Sequence, residues 1–186
     1  GNIELATMSF GQRFRVTPLQ LITAVSAVAN DGILVEPRIV KEIENPDTKS
    51  VVTMDSSNVR QVISKETSDK LMDMLESVVT DGTGRYGQVK GYSVAGKTGT
   101  SEPDTTSSEA MYVASFVGIS PVQNPEVVVL VTLYDPQGKD GHQGGTIAAP
   151  VVSQILSEVL PYLGIPSDDL SVEGENNTIY TITLPD

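Results

Sequence analysis

Ala95-Gly96-Lys97-Thr98-Gly99-Thr100 is the stretch on which the fold turns, and it admits two incompatible readings. With Gly91 in front it spells Gly-x-x-x-x-Gly-Lys-Thr, the letters of a phosphate-binding loop. That loop needs a strand, then a glycine-rich turn, then a helix whose N-terminus meets the phosphates. The order here is wrong, because residues 92–95 are themselves strand-like and Gly99, Pro103 and Asp104 stand where the helix should begin. The other reading is a strand. Alternation then puts Lys97 on one face and the hydroxyls of Thr98 and Thr100 on the other. A glycine between two threonines in a strand interior is unfavourable unless something must approach the backbone closely. At a sheet edge these residues offer free N–H and C=O groups, a cation and two hydroxyls, which suits an extended peptide ending in a carboxylate. A solvated edge strand with a spare lysine suits them equally, and strand physics alone leaves both open.

Working outward, residues 92–101, 111–120 and 126–134 read as three strands. Their linkers, 102–110 and 121–125, are short enough for antiparallel neighbours. A helix begins near Thr146, tolerates Pro150 in its first turn, and runs to Leu163, with Gly164 as its C-cap. Three strands under one long amphipathic helix make an α+β layer. Upstream, Thr17 and Pro18 are a matched N-cap and first helical residue. The helix they open, 17–29, is apolar nearly all round and is expected to be buried. Residues 37–44 read as an exposed strand, Asn45-Pro46-Asp47 as a turn, and 51–54 as the return. Ser64 caps a further helix to about Thr80, with Leu71, Met74, Leu75, Val78 and Val79 at helical spacing. Gly82-Thr83-Gly84-Arg85-Tyr86-Gly87 has the letters of a dinucleotide fingerprint but follows a helix and opens none, so it reads as a turn.

Composition narrows the function classes. The 186 residues hold 24 Asp and Glu against 12 Lys and Arg, a formal net charge of −12. Such a balance argues against nucleic acid or an anionic membrane as a partner through bulk attraction. With no Cys there is no disulfide, thiol nucleophile or Cys-based zinc site, and a single His makes a His-rich metal centre improbable; no metal and no cofactor are expected. No signal peptide or membrane span is visible. The chain starts without Met, which suggests a piece of something longer. From Pro166 onward there are five acids and no bases. Residues 1–165 are therefore read as the body, and 166–186 as an acidic linker with the start of another unit.

Lys97-Thr98-Gly99-Thr100 resembles the Lys-Thr-Gly-Thr/Ser box of the penicillin-binding proteins, the D,D-transpeptidases that cross-link peptidoglycan. Other segments resemble the class B enzymes in the right order. They are Ser9-Phe10-Gly11-Gln12 with Val16-Thr17-Pro18-Leu19-Gln20-Leu21, Ala114-Ser115-Phe116-Val117-Gly118, and Ala148-Ala149-Pro150-Val151. The likeness runs from about Gly1 to Gly164. Residues 180–186 are similar to the opening of a PASTA repeat. The resemblance implies the C-terminal part of a transpeptidase fold, from a parent anchored by an upstream transmembrane helix on the extracytoplasmic face of the bacterial membrane. It implies peptidoglycan stem peptides ending in D-Ala-D-Ala and β-lactams as ligands, with other cell-wall synthesis proteins as partners.

By the same resemblance, Lys97 supplies positive potential to the groove and Thr98 and Thr100 hold a substrate carboxylate. Gly99 lets substrate lie against the strand, and the Thr100 N–H is one oxyanion donor, making Lys97 and Thr100 the catalytic candidates. Departures from the family pattern matter as much. No serine here has a lysine three residues on, so the Ser-x-x-Lys nucleophile is absent from these residues. Ser56-Ser57-Asn58 has the letters of the family's Ser-x-Asn box but falls after the Gly11-Gln12 segment, and is read as coincidence. His142 is read as a loop residue with no catalytic task. Arg13 and Arg15 stand where relatives carry small residues, and nothing in the sequence explains them. The parent is expected to be a serine-type transpeptidase and this chain alone to be inactive. A β-lactam sensor or non-catalytic stem-peptide binder is the alternative, and a nucleotide binder a distant third. By resemblance, two further strands belong beside residues 126–134. The 17–29 helix likewise lacks here the helical neighbours that should bury its second face, which leaves an exposed apolar patch. The chain alone is therefore expected to self-associate or to be less stable than its size suggests.

Overall fold

The computed structural model describes residues 1–9, 11, 15–54, 60–101, 111–139 and 141–168. Phe10, Gln12 and Arg13, the Ser56-Ser57-Asn58 triplet, the 102–110 linker and the PASTA-like residues 180–186 lie outside the described residues. A short helix, α1 (Asn2–Met8), opens the chain without a capping side chain, so no sequence signal marks it. In α2 (Pro18–Ala29) the cap is the expected one. Thr17 Oγ1 accepts the Gln20 N–H at 3.2 Å, and Gln20 Oε1 accepts the Thr17 N–H at 2.9 Å, a capping box of a kind that adds about 1 kcal/mol. The burial that the apolar sequence of α2 suggests is not reached, in line with the exposed patch expected of this helix without its further neighbours. Only Ala27 is fully buried, and Leu19 keeps 60% of its surface exposed. Val25, Val28 and Ala29 pack inward, while Leu19, Gln20 and Ala24 are exposed.

Beyond α2, β1 (Ile33–Leu34) pairs antiparallel with β4 (Arg60–Gln61), and between them β2 (Glu42–Glu44) pairs with β3 (Val51–Thr53). The expected strand 37–44 shrinks to its last three residues. Pro37 has no N–H to donate, and the return strand ends at Thr53, so 37–40 has no ladder partner. α3 (Lys65–Thr80) starts at Ser64, whose Oγ accepts the Thr67 N–H at 3.2 Å. Lys65 Nζ reaches Asp31 at 2.7 Å and Asp69 at 2.8 Å. Hydrogen bonds to Asp31 first and Asp69 second hold its ammonium above the ordinary lysine value. Ser68 is buried and donates to the Val28 carbonyl, locking α3 to α2.

β5 (Ala95–Ser101), β6 (Val113–Ser120) and β7 (Val127–Tyr134) form the expected antiparallel sheet in that order. The phosphate-loop reading is thereby overturned, since Thr98 through Ser101 are strand where that loop needs a helix. β5 begins three residues later than expected, because Tyr92 bridges to Val89 and its hydroxyl donates to the Ile165 carbonyl at 2.9 Å. The C-terminal helix is two pieces, α4 (Gly144–Ile147) and α5 (Ala149–Tyr162). Pro150 has no N–H to continue the hydrogen-bond ladder of α4, and α5 restarts with that proline in its first turn, where the N–H is not needed. α5 ends in a Schellman turn, with Gly164 at φ +72° and the Ile165 N–H on the Leu160 carbonyl at 3.0 Å.

The sheet has two covered faces. Val152, Leu156 and Leu160 of α5 pack with Val79 and Phe116 on one, and Met72 of α3 packs with Ala95, Ile119 and Val122 on the other. Phe116 is fully buried, and its ring dictates three glycines. A Cβ on Gly87 or Gly96 would lie 2.6 Å from its Cζ, and one on Gly84 would lie 3.1 Å from its Cε2. The fingerprint-like glycines after α3 therefore serve packing, in a turn that includes a single 3-10 stretch, Arg85–Gly87. Past α5 the chain stays tied to the body, with the Ser167 hydroxyl and the Asp168 N–H both donating to the Gly91 carbonyl.

Candidate functional site

β5 is an edge strand among the described residues, and it carries Lys97, Thr98, Gly99 and Thr100 in its middle. Register fixes their faces. Lys97 stands opposite Val117, while Thr98 and Thr100 stand opposite Phe116 and Ala114. Lys97 therefore points to the α2 and α3 side, and the two threonines to the α4 and α5 side. Lys97 is exposed, Thr98 through Thr100 are half-buried, and Ala95 and Gly96 beneath them are buried.

Each polar group has a traceable neighbour. Lys97 Nζ donates to the Thr98 carbonyl at 3.0 Å. None of the ion pairs found among the described residues involves Lys97. Thr98 Oγ1 lies 3.2 Å from Thr83 Oγ1, in the turn after α3. Thr100 Oγ1 accepts the Gly144 N–H at 3.1 Å and lies 3.5 Å from Gln143 Oε1. Next to it, His142 stacks on Tyr112, ring centroids 3.8 Å apart at 21°. The site is thus the seam where β5 meets the loop leading into α4.

Gly99 has a cause that strand alternation alone does not reveal. A Cβ there would sit 2.5 Å from Ser115 Oγ, so the Ser115 hydroxyl occupies the space of a side chain at 99. Gly144 is pinned harder, because its Cβ would come within 2.2 Å of the Ser115 carbonyl oxygen and 2.4 Å of that of Gly99. Ser115, Gln143 and Gly144 were not candidates on sequence grounds. The Gly144-Gly145 pair ahead of the expected helix is the signal for Gly144, Ser115 falls within the Ala114–Gly118 segment already quoted, and Gln143 carries none. Among the described residues, no group of three or more His, Cys, Asp or Glu is placed to hold a metal ion.

Residues 1–157 match the penicillin binding protein transpeptidase domain family. Stage V sporulation protein D of Bacillus subtilis is 43% identical over 190 residues, which take in 100% of this chain and 29% of that protein. A probable peptidoglycan D,D-transpeptidase, PenA, of Neisseria flavescens is 34% identical over 173 residues, covering 91% of this chain and 40% of that protein. The chain therefore spans well under half the length of these curated relatives. Among solved structures, the transpeptidase domain of Burkholderia pseudomallei penicillin-binding protein 3 superposes with a TM-score of 0.72 at 36% identity. It covers 90% of this chain and 49% of that one. Penicillin-binding protein 3 of Mycobacterium tuberculosis in complex with aztreonam gives 0.76 at 31% identity, over 87% of this chain and 38% of that one.

Proposed function

This chain belongs to the transpeptidase family of penicillin-binding proteins, and from that premise we propose that it forms the substrate-binding edge of a peptidoglycan D,D-transpeptidase. The reaction is acyl transfer. A serine attacks the penultimate D-Ala carbonyl of a stem peptide, D-Ala leaves, and an amine of a neighbouring stem peptide resolves the acyl-enzyme. β-Lactams enter the same groove as acyl donors. The serine comes from a Ser-x-x-Lys box outside these 186 residues, and the whole protein acts on the outer face of the bacterial cell membrane beside other cell-wall synthesis proteins. No helix among the described residues is long and apolar enough to cross a membrane. Residues 1–165 are proposed to be the C-terminal part of the transpeptidase unit, and 166–186 an acidic linker leading into a PASTA-like unit.

One observation carries the reading: β5, which has no strand partner beyond it among the described residues, carries Lys97 on one face and the Thr98 and Thr100 hydroxyls on the other, within four consecutive residues of one edge. The Thr98 carbonyl faces the side where Lys97 Nζ reaches it. Antiparallel alternation carries the Thr100 N–H and C=O to that same open side, which supports the Thr100 N–H as an oxyanion donor. In this reading Thr98 and Thr100 hold the donor's carboxylate, Lys97 raises the positive potential of the groove, and Gly99 lets an extended ligand lie against the strand. The test is Thr100→Val in the polypeptide that joins these residues to the Ser-x-x-Lys serine. A lost hydrogen bond to a charged group, about 1.5–3 kcal/mol, should slow acylation by a penicillin at least about tenfold. An unchanged rate would refute the role.

The same reading bears on association. Seven of the eight residues of β7 are half-buried and the last is exposed. Val127 through Val131 thus form an apolar strand with no partner beyond it among the described residues. We expect the 186-residue chain to self-associate through this edge, seen as a mass that rises with concentration in sedimentation. A monomer at every concentration with a high, constant melting temperature would contradict it.

A further inference from the structure

In the Gly82-Thr83-Gly84 turn after α3 the glycines serve packing, but Thr83 carries a hydroxyl to the candidate site. Both glycines close on the Val78 carbonyl at the end of α3. The Gly84 N–H donates to it at 2.9 Å, and a Cβ on Gly82 or Gly84 would lie 2.8 or 3.1 Å from its oxygen. On the other side, α4 presses on the same turn. A Cβ on Gly145 would lie 2.4 Å from the Thr83 carbonyl oxygen and 3.2 Å from Thr98 Cγ2. Thr83 is thus held between the end of α3 and the start of α4, and its Oγ1 lies 3.2 Å from Thr98 Oγ1. Thr83 is exposed. Backbone contacts and glycines set the shape of the turn, which needs no hydroxyl at position 83.

Either hydroxyl of the pair can donate to the other, and each has a single proton to give. A carboxylate only accepts. A carboxylate on Thr98 therefore takes the Thr98 proton, and the pair is left with one polarity, the Thr83 O–H donating to Thr98 Oγ1. That donation polarises the Thr98 O–H and strengthens its charge-assisted bond to the anion.

We propose that Thr83 is a positioning residue for recognition of the donor's carboxylate, acting through the Thr98 hydroxyl. It supplies the hydrogen bond that Thr98 Oγ1 accepts while Thr98 donates to the ligand. The inference rests on the reading of Thr98 as a carboxylate-binding residue and adds the group that stands behind it.

The experiment uses the polypeptide that joins these residues to the Ser-x-x-Lys serine. Second-order acylation rates are measured with a penicillin and with its methyl ester. Thr83→Val keeps the side-chain shape and removes the hydroxyl. It should slow the free acid about fivefold, the worth of one ordinary hydrogen bond, and leave the ester within about twofold, so the acid-to-ester ratio falls. Equal slowing of acid and ester, the mark of a distorted turn, would overturn the inference, as would an unchanged acid rate. Thr98→Val should lower the ratio at least as far. Adding Thr83→Val to it should cost less than about twofold more, because Thr83 then has no hydroxyl to act on. Losses that multiply in the double variant would overturn the positioning role, since Thr83 would then act on the ligand without Thr98. Thr98→Val also separates the two levels. If it leaves the ratio intact, the carboxylate reading of Thr98 fails and the inference with it. If it lowers the ratio while Thr83→Val does not, only the role of Thr83 fails.

Discussion

A fluorescent penicillin is expected to leave no covalent label on the 186-residue chain. Acylation needs a nucleophile whose proton is taken by a neighbouring base, and no serine here has a lysine three residues on. The hydroxyls at the candidate site are poor substitutes. Thr98 is engaged with Thr83, Thr100 with Gly144, and Lys97 Nζ is directed to a backbone carbonyl rather than to a hydroxyl. The check is a denaturing gel read by fluorescence. A band that survives denaturation and is competed away by unlabelled penicillin would show that a nucleophile exists within these residues.

Phe116→Ala should cost about 3–5 kcal/mol of unfolding free energy, the range for deleting a buried aromatic side chain. The side chain is fully buried, and Gly84, Gly87 and Gly96 surround it with backbone at contact distance. Backbone cannot collapse into the void as flexible side chains might, which argues for the upper part of that range. Denaturant titration with an unchanged m-value gives the measurement. A loss below about 1 kcal/mol would mean that the ring is not the centre of this core.

Local chemistry made much of the fold legible. Thr17 and Pro18 carry the start of α2, and Gly164 marks the end of α5. Strand alternation with short linkers was enough for β5, β6 and β7 and for the faces of Lys97, Thr98 and Thr100. What escaped depends on contacts between distant residues. The exposure of α2 is implied by the resemblance but not by its own apolar sequence, because burial is a property of neighbours. Gly87 and Gly96 looked like turn and phosphate-loop glycines, whereas the Phe116 ring, which lies 20 or more residues away in sequence, requires both. Gly99 signalled a close approach, but the approaching group proved to be Ser115, reachable only once the β5–β6 register is known. Gln143 carried no signal at all, since an exposed glutamine in a loop is unremarkable until Thr100 is found beside it.

That the open edge of β5 receives the donor's carboxylate and acyl oxygen is tested most directly by the crystal structure of an acyl-enzyme. It would be formed from a free-acid penicillin and the polypeptide that joins these residues to the Ser-x-x-Lys serine. The expected result places the ligand carboxylate within about 3 Å of the Thr98 and Thr100 hydroxyls, with the acyl oxygen on the Thr100 N–H. A ligand whose carboxylate lies away from both hydroxyls, or whose acyl oxygen points away from β5, would contradict it.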